Sequence, residues 1–103
     1  MNDRLSQLRN LLDKDPHDAF CMYAIAMEYS KNRNQTEAIA WFDRTLEVDP
    51  QYIYAWFHKA RAQELSGDTK GAKETLKIGI MQANDAGDIH AKEEMTAFLQ
   101  SLQ

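Results

Sequence analysis

The stretch QTEAIAWFDRTLEVDP, residues 35–50, decides the fold of this chain. Ala38, Phe42 and Leu46 recur every four residues in it, which places them on one stripe of an α-helix. Pro50 cannot continue a helix, so the helix must stop just before it. The stretch therefore predicts an amphipathic helix over residues 35–48.

The same pattern returns after 34 residues. The two prolines of the chain, Pro16 and Pro50, are 34 residues apart. A shift by this distance places bulky residues on bulky ones and small residues on small ones: Met22 on Trp56, Ala26 on Ala60, Ala38 on Ala72 and Phe42 on Leu76. A fixed period of this length indicates a stack of structural repeats.

Each period is predicted to form a helical hairpin. A second apolar stripe over residues 18–30 precedes the first one, and turn formers separate the two. Those turn formers are Asn32-Arg33-Asn34 and, one period later, Ser66-Gly67-Asp68, since Gly and Asn tolerate left-handed backbone and Asp can cap the following helix. Gly87-Asp88 marks another stop and cap. The alternation typical of strands is missing from the sequence.

The expected architecture is all-α, a single domain over residues 1–103 with about six antiparallel helices. An N-terminal half repeat takes residues 1–18, two full repeats take 19–52 and 53–86, and a capping helix takes 87–103. The first helix lacks a preceding partner and the last lacks a following one.

Composition restricts the function. The chain has 103 residues, 44% hydrophobic and 27% charged, with a net charge of -4, so neither disorder nor attraction to nucleic acid or anionic lipid is expected. The longest apolar run, residues 19–27, is too short to span a bilayer, and the N-terminus lacks the apolar core of a signal peptide. A single cysteine, Cys21, rules out an intrachain disulfide and favours a reducing, cytoplasmic location.

The repeat resembles the tetratricopeptide repeat, a 34-residue hairpin with the pattern W-x2-L-G-x2-Y, then A-x3-F, then P. The first full repeat matches this pattern with Met22, Ile25, Ala26 and Tyr29, then Ala38 and Phe42, then Pro50. The second matches less well, because Lys59 and Gln63 replace the family's leucine and tyrosine. The resemblance covers essentially the whole chain, which is similar to small free-standing bacterial members of the family.

The resemblance implies a curved solenoid whose first helices line a concave groove that binds peptides or partner helices, with no cofactor and no catalysis. Carried over position by position, the groove residues are Phe20, Tyr23, Met27, Lys31, Tyr54, Phe57, His58, Arg61 and Leu65. Aromatic rings and Met suit recognition of an apolar segment. Alternatively, the rings pack against each other or under the last helix, or they form a surface for self-association.

One subgroup of the family grips the carboxylate of chaperone tails with a clamp of Lys, Asn and Arg. The resemblance implies that this clamp is absent here, because its positions hold Tyr23, Met27, His58, Asp88 and Lys92.

The two departures from the family pattern lead to an expectation about helix packing. Lys59 and Gln63 are expected on the face of their helix that meets the last helix, with Lys59 extending toward Glu93 or Glu94. If the last helix is shifted by one residue relative to the 34-residue period, three of its residues take the packing positions: Ala91, Met95 and Phe98.

Other chemistry has weak support. His17, His58 and His90 lie in three separate segments, and a metal site would need them to converge with a carboxylate. Cys21 lies in an apolar stretch, which favours an inert buried thiol. Trp41, on the outward side of its helix beside Phe42, is expected to be partly exposed and to serve as a contact anchor.

The leading hypothesis is therefore a non-catalytic adaptor that binds an apolar or amphipathic segment of a partner protein in the groove. The alternative is a structural homodimer or homo-oligomer that associates through the exposed rings or the ends of the solenoid, since solenoid ends need polar caps for solubility.

Overall fold

The computed structural model describes residues 3–103. Six α-helices follow one another through this range: α1 (Asp3–Lys14), α2 (Ala19–Lys31), α3 (Gln35–Val48), α4 (Ile53–Leu65), α5 (Thr69–Ala86) and α6 (Ile89–Ser101). The predicted all-α solenoid of six helices is confirmed within the described range. The first two residues of the predicted half repeat lie outside that range.

Side-chain caps begin most of the helices at the positions that the sequence predicts. Asp68 accepts a hydrogen bond from the Gly71 backbone N–H at 2.9 Å, and Asp88 accepts one from Ala91 at 3.1 Å. Gly87 ends α5 in the left-handed region with φ 72°. A carboxylate at the N-cap satisfies a backbone donor that the helix itself leaves unpaired.

The helices stack as neighbours along the chain. Within the hairpins α2 packs on α3 and α4 on α5, while α3 packs on α4 between the hairpins. The terminal helices α1 and α6 pack on α2 and α5, and the assembly measures 39 × 29 × 18 Å.

The core consists of two apolar clusters joined by Trp56. Phe42 is fully buried in the first cluster and Leu76 in the second, and Trp56 packs against both. The indole N–H of Trp56 donates to the Pro50 carbonyl at 2.8 Å. The large side chains thus lie between hairpins, while the small residues that let the helices approach are all fully buried: Ala26, Ala38, Ala60 and Ala72.

The expectation for Trp41 is wrong. Its side chain is only 7% exposed and belongs to the first cluster. The guanidinium groups of Arg44 and Arg9 lie 4.0 and 5.6 Å from its ring, and Arg9 also donates to the hydroxyl of Tyr29. Long basic side chains cover the indole face, a form of burial that helical spacing alone does not reveal.

The expectation for Lys59 and Gln63 is also wrong. The Lys59 ammonium pairs with Asp43 of α3 at 2.7 Å, and Gln63 accepts a hydrogen bond from the Thr75 hydroxyl of α5 at 2.7 Å. These faces of α4 meet the preceding and following helices, so neither polar residue disturbs the contact with α6.

The last helix packs as the one-residue shift relative to the period predicts. Ala91 and Met95 are buried, and Phe98 packs against the second cluster. Helix α5 has 18 residues against 14 in α3, because Asn84 stands one period after Pro50 and allows the helix to continue to Gly87.

Candidate partner-binding groove

The first helices of the successive hairpins, α2, α4 and α6, contact one another side by side. They form one surface, called the inner face below. The structure brings together eight of the nine predicted groove residues, through ring contacts or shared clefts: Tyr23, Met27, Lys31, Tyr54, Phe57, His58, Arg61 and Leu65. The ninth, Phe20, lies in the first turn of α2, is 64% exposed and joins none of the ring contacts of residues 3–103.

His58 lies at the centre of the ring contacts. Its imidazole is 5.3 Å from the ring of Phe57, 6.0 Å from Tyr23, 6.3 Å from Phe42 and 6.5 Å from Tyr54, measured between centroids. Burial lowers the pKa of His58, and the nearby Arg61 lowers it further against an opposing effect of Glu94. The lowered pKa favours the neutral imidazole, and its ring contacts make His58 an aromatic packing element.

Tyr23 joins the inner face to the core. Its ring lies 4.7 Å from Tyr52 and 5.9 Å from Phe42. Burial, with a smaller effect of Tyr52, raises the pKa of Tyr23 to about 12. The alternative that rings pack against each other therefore holds for Tyr23.

Helix α6 forms one edge of the inner face and contacts the neighbouring rings of α4. The Tyr54 hydroxyl donates to Glu94 Oε1 at 2.6 Å, and this hydrogen bond is the main cause that raises the pKa of Tyr54 to about 12. The same carboxylate oxygen lies 2.8 Å from His90 Nε2. Phe57 packs on Phe98 with centroids 5.6 Å apart. The sequence contains no pattern that identifies Glu94 as the partner of Tyr54, because the two residues are forty positions apart.

Two clefts lie on the inner face beyond these rings. The first, the Met27 cleft, has a volume of about 240 Å³ and is lined by Met27, Ser30, Lys31, His58, Arg61 and Leu65. The second, the Phe98 cleft, has about 320 Å³ and is lined by Phe57, Arg61, Glu64, Leu65 and Phe98. Arg61 and Leu65, one helical turn apart on α4, line both clefts.

A hollow larger than either cleft lies away from the inner face, at the C-terminal end of the stack. It has a volume of about 530 Å³ between the end of α5 and the outward side of α6. Its apolar lining includes Ala83, Ile89 and Ala97, and Ile89 is 68% exposed.

Cys21 is buried, as predicted. Its thiol donates to the Leu8 carbonyl at 3.1 Å, and burial raises its pKa, which disfavours the nucleophilic thiolate. Across residues 3–103, no three His, Cys, Asp or Glu side chains lie close enough to share a metal ion.

Known proteins share this architecture and its sequence pattern. A tetratricopeptide repeat profile matches residues 21–52. The TPR repeat-containing protein PA0015 of Pseudomonas aeruginosa is 30% identical over 95 residues, covering 92% of this chain and 90% of the relative. This chain belongs to the tetratricopeptide repeat family.

Solved tetratricopeptide repeat structures superimpose on it closely. A repeat domain protein from Salinibacter ruber, solved by NMR, has a TM-score of 0.80 and 30% identity, covering 86% of this chain and 90% of the other. The TPR2B domain of yeast Sti1, in a complex with pHsp70, has a TM-score of 0.89 and 22% identity, covering 95% of this chain and 78% of the other. Members of the family are generally non-catalytic modules that bind protein or peptide partners. Within residues 3–103 no helix is both long and apolar enough to cross a bilayer.

Proposed function

We propose that this chain is a non-catalytic cytoplasmic adaptor that binds an apolar or amphipathic segment of a partner protein along its inner face. The observation that carries the proposal is the pair of clefts beside the ring cluster, because they place accessible side chains next to a rigid aromatic floor. A floor of packed rings needs little ordering when a ligand binds, and this improves affinity.

The accessible residues and the supporting residues have different roles in this proposal. Phe20, Leu65 and Arg61 are exposed and would contact the partner directly. Tyr23 and Phe57 pack against neighbouring rings, so they would mainly support the surface. Replacing Tyr23 or Phe57 would therefore disturb folding as well as binding.

The Sti1 domain, found with pHsp70, shares the fold with this chain at 22% identity. Tyr23, Met27 and His58 occupy positions where the chaperone-tail clamp of the family has Asn or Lys, so we propose a partner that does not depend on that clamp.

A matched pair of photo-crosslinking variants tests the location of the interface. A benzophenone amino acid is introduced at position 20 on the inner face or at position 81 on the outer side of α5, where the native residues Phe20 and Met81 are 64% and 65% exposed. We expect position 20 to give a covalent adduct with a defined partner in the native host, and position 81 to give none. Equal adducts from both positions, or adducts from position 81 alone, would contradict the proposal.

The second candidate function is self-association. It is favoured by the exposed Ile89 beside the end hollow of about 530 Å³, where an additional helix of a longer solenoid would pack. Light scattering decides between the candidates, since a monomer at high micromolar concentration rules out a stable homodimer. An adduct between two copies from position 20 would instead support this candidate.

A further inference from the structure

The inner face carries two cations that residues 3–103 do not neutralise. Lys31 and Arg61 are both exposed and line the Met27 cleft together. Within residues 3–103 the Lys59 ammonium pairs with Asp43 and the His90 imidazole contacts Glu94, and neither Lys31 nor Arg61 lies within ion-pair distance of a carboxylate.

The positive charge is concentrated in the Met27 cleft, whose lining contains Lys31 and Arg61 and no acidic residue. Glu64 lines the Phe98 cleft instead, where its carboxylate keeps its charge and accepts a hydrogen bond from the Thr69 hydroxyl at 2.6 Å. The chain as a whole has a net charge of -4, so a locally positive cleft is a departure from the average surface.

Apolar side chains flank the cations on both sides. Met27 and Leu65 line the Met27 cleft, and Phe57, Leu65 and Phe98 line the Phe98 cleft. Arg61 lies between the two clefts because it lines both. A guanidinium group in this position can hold a carboxylate through two parallel hydrogen bonds.

We infer that the inner face selects a partner segment in which an acidic side chain lies between two apolar side chains. The carboxylate would bind Arg61 and Lys31, and the apolar side chains would enter the Met27 and Phe98 clefts. The inference rests on the proposed function and adds the chemical class of the partner.

Backbone dipoles cannot replace these two side chains. Helices α2 and α4 end at Lys31 and Leu65, beside the Met27 cleft, and helix C-termini carry partial negative charge. The backbone therefore opposes an anion there, and its binding depends on Lys31 and Arg61.

Selection from a library of random twelve-residue peptides, displayed at the N-terminus of a phage coat protein, tests this inference. The peptides are joined to the coat through their C-termini. They therefore have no free C-terminal carboxylate, and a carboxylate within the peptide can come only from a side chain. The protein is immobilised as the native chain, as Lys31→Glu/Arg61→Glu, or as Lys70→Glu/Lys77→Glu. The last pair lies exposed on α5 and changes net charge equally, which makes it the matched control.

We expect the native chain and the control to enrich peptides with Asp or Glu between apolar residues, and the Lys31→Glu/Arg61→Glu variant to enrich Lys or Arg there instead. Circular dichroism checks that all three proteins fold. Replacing the selected acidic residue by its amide should weaken binding to the native chain about tenfold or more, because a hydrogen bond to a charged group is lost.

Other results would overturn the inference, and they separate it from the proposed function. Apolar peptides without acidic enrichment, or equal acidic enrichment by all three proteins, would refute the inference and leave the proposed function standing. Failure of all three proteins to enrich any peptide would contradict both. A native dimer that dissociates in the Lys31→Glu/Arg61→Glu variant would identify a second copy as the occupant, and this also overturns the inference.

Discussion

At Gly79, α5 comes close to both α4 and α6. A Cβ atom at this position would lie 2.6 Å from Trp56 Cβ and 2.7 Å from Met95 Sδ. Trp56 Cβ is attached directly to the α4 backbone, so it cannot move without moving the helix. Because Gly79 has no side chain, Trp56 of α4 and Met95 of α6 can both pack directly against the backbone of α5.

Gly79→Ala should destabilise the protein by about 1 kcal/mol, and by at most about 2 kcal/mol. Overpacking costs about 1–3 kcal/mol and outweighs the gain of about 1 kcal/mol in helix propensity. Urea denaturation followed by circular dichroism measures the effect, with the exposed Lys77→Ala as a control that should change little. A Gly79→Ala protein as stable as the native chain would show that the approach is looser than described.

Arg33 and Gly67 occupy equivalent turns one period apart, and both have left-handed backbone, with φ 63° and 91°. We expect Arg33→Gly to stabilise the protein and Gly67→Ala to destabilise it, each by about 0.5–1 kcal/mol. Backbone strain at a non-glycine residue exceeds the extra unfolded-state entropy of glycine in such a turn. A Cβ at Gly67 would meet no atom within 4 Å, so φ alone is responsible there. Changes of the same sign in urea denaturation would refute this explanation.

At the scale of the elements, the helices and their order follow from local signals, whereas the contacts of the inner face do not. Proline, the caps and the apolar stripes act within a few residues, so the sequence alone places α3 and the turn before α5 correctly. Helical spacing does not predict the burial of Trp41, because the side chains that cover it come partly from α1. The hydrogen bond of Tyr54 to Glu94 depends on how α6 crosses α4, which no local pattern encodes.

The two tyrosines of the inner face make stability depend on alkaline pH. The pKa values of Tyr23 and Tyr54 are raised to about 12 in the folded protein, above the ordinary value near 10 of an unfolded chain. The folded state therefore holds protons that the unfolded state releases. Their contribution to stability is complete below pH 10 and is lost as the pH rises through 12.

The melting temperature should accordingly fall between pH 10 and pH 12, and the Tyr23→Phe/Tyr54→Phe variant should show a smaller fall. Absorbance at 295 nm gives an independent check, because ionisation in the native protein should occur at higher pH than in concentrated urea. An identical decline in melting temperature for the variant would show that other groups control the alkaline transition.

For the whole molecule, the stack of hairpins presents an inner face and an outer surface that differ in chemistry. The inner face combines packed rings with exposed Phe20, Arg61 and Leu65, whereas Ile78 and Met81 are exposed on the outer side of α5. The repeat pattern alone predicts that such faces exist. The alternative that rings pack under the last helix holds for Tyr54 and Phe57, which contact Glu94 and Phe98 of α6. The repeat pattern could not decide between the alternatives, because the last helix departs from the 34-residue period.

Hydrogen–deuterium exchange of the native chain, with and without the partner identified by crosslinking, tests most directly whether the inner face is the binding surface. We expect added protection in peptides from α2 and α4, residues 19–31 and 53–65, with little change in the part of α5 over residues 69–82. Protection confined to α5, or to residues 83–89 beside the end hollow, would contradict the proposed binding surface.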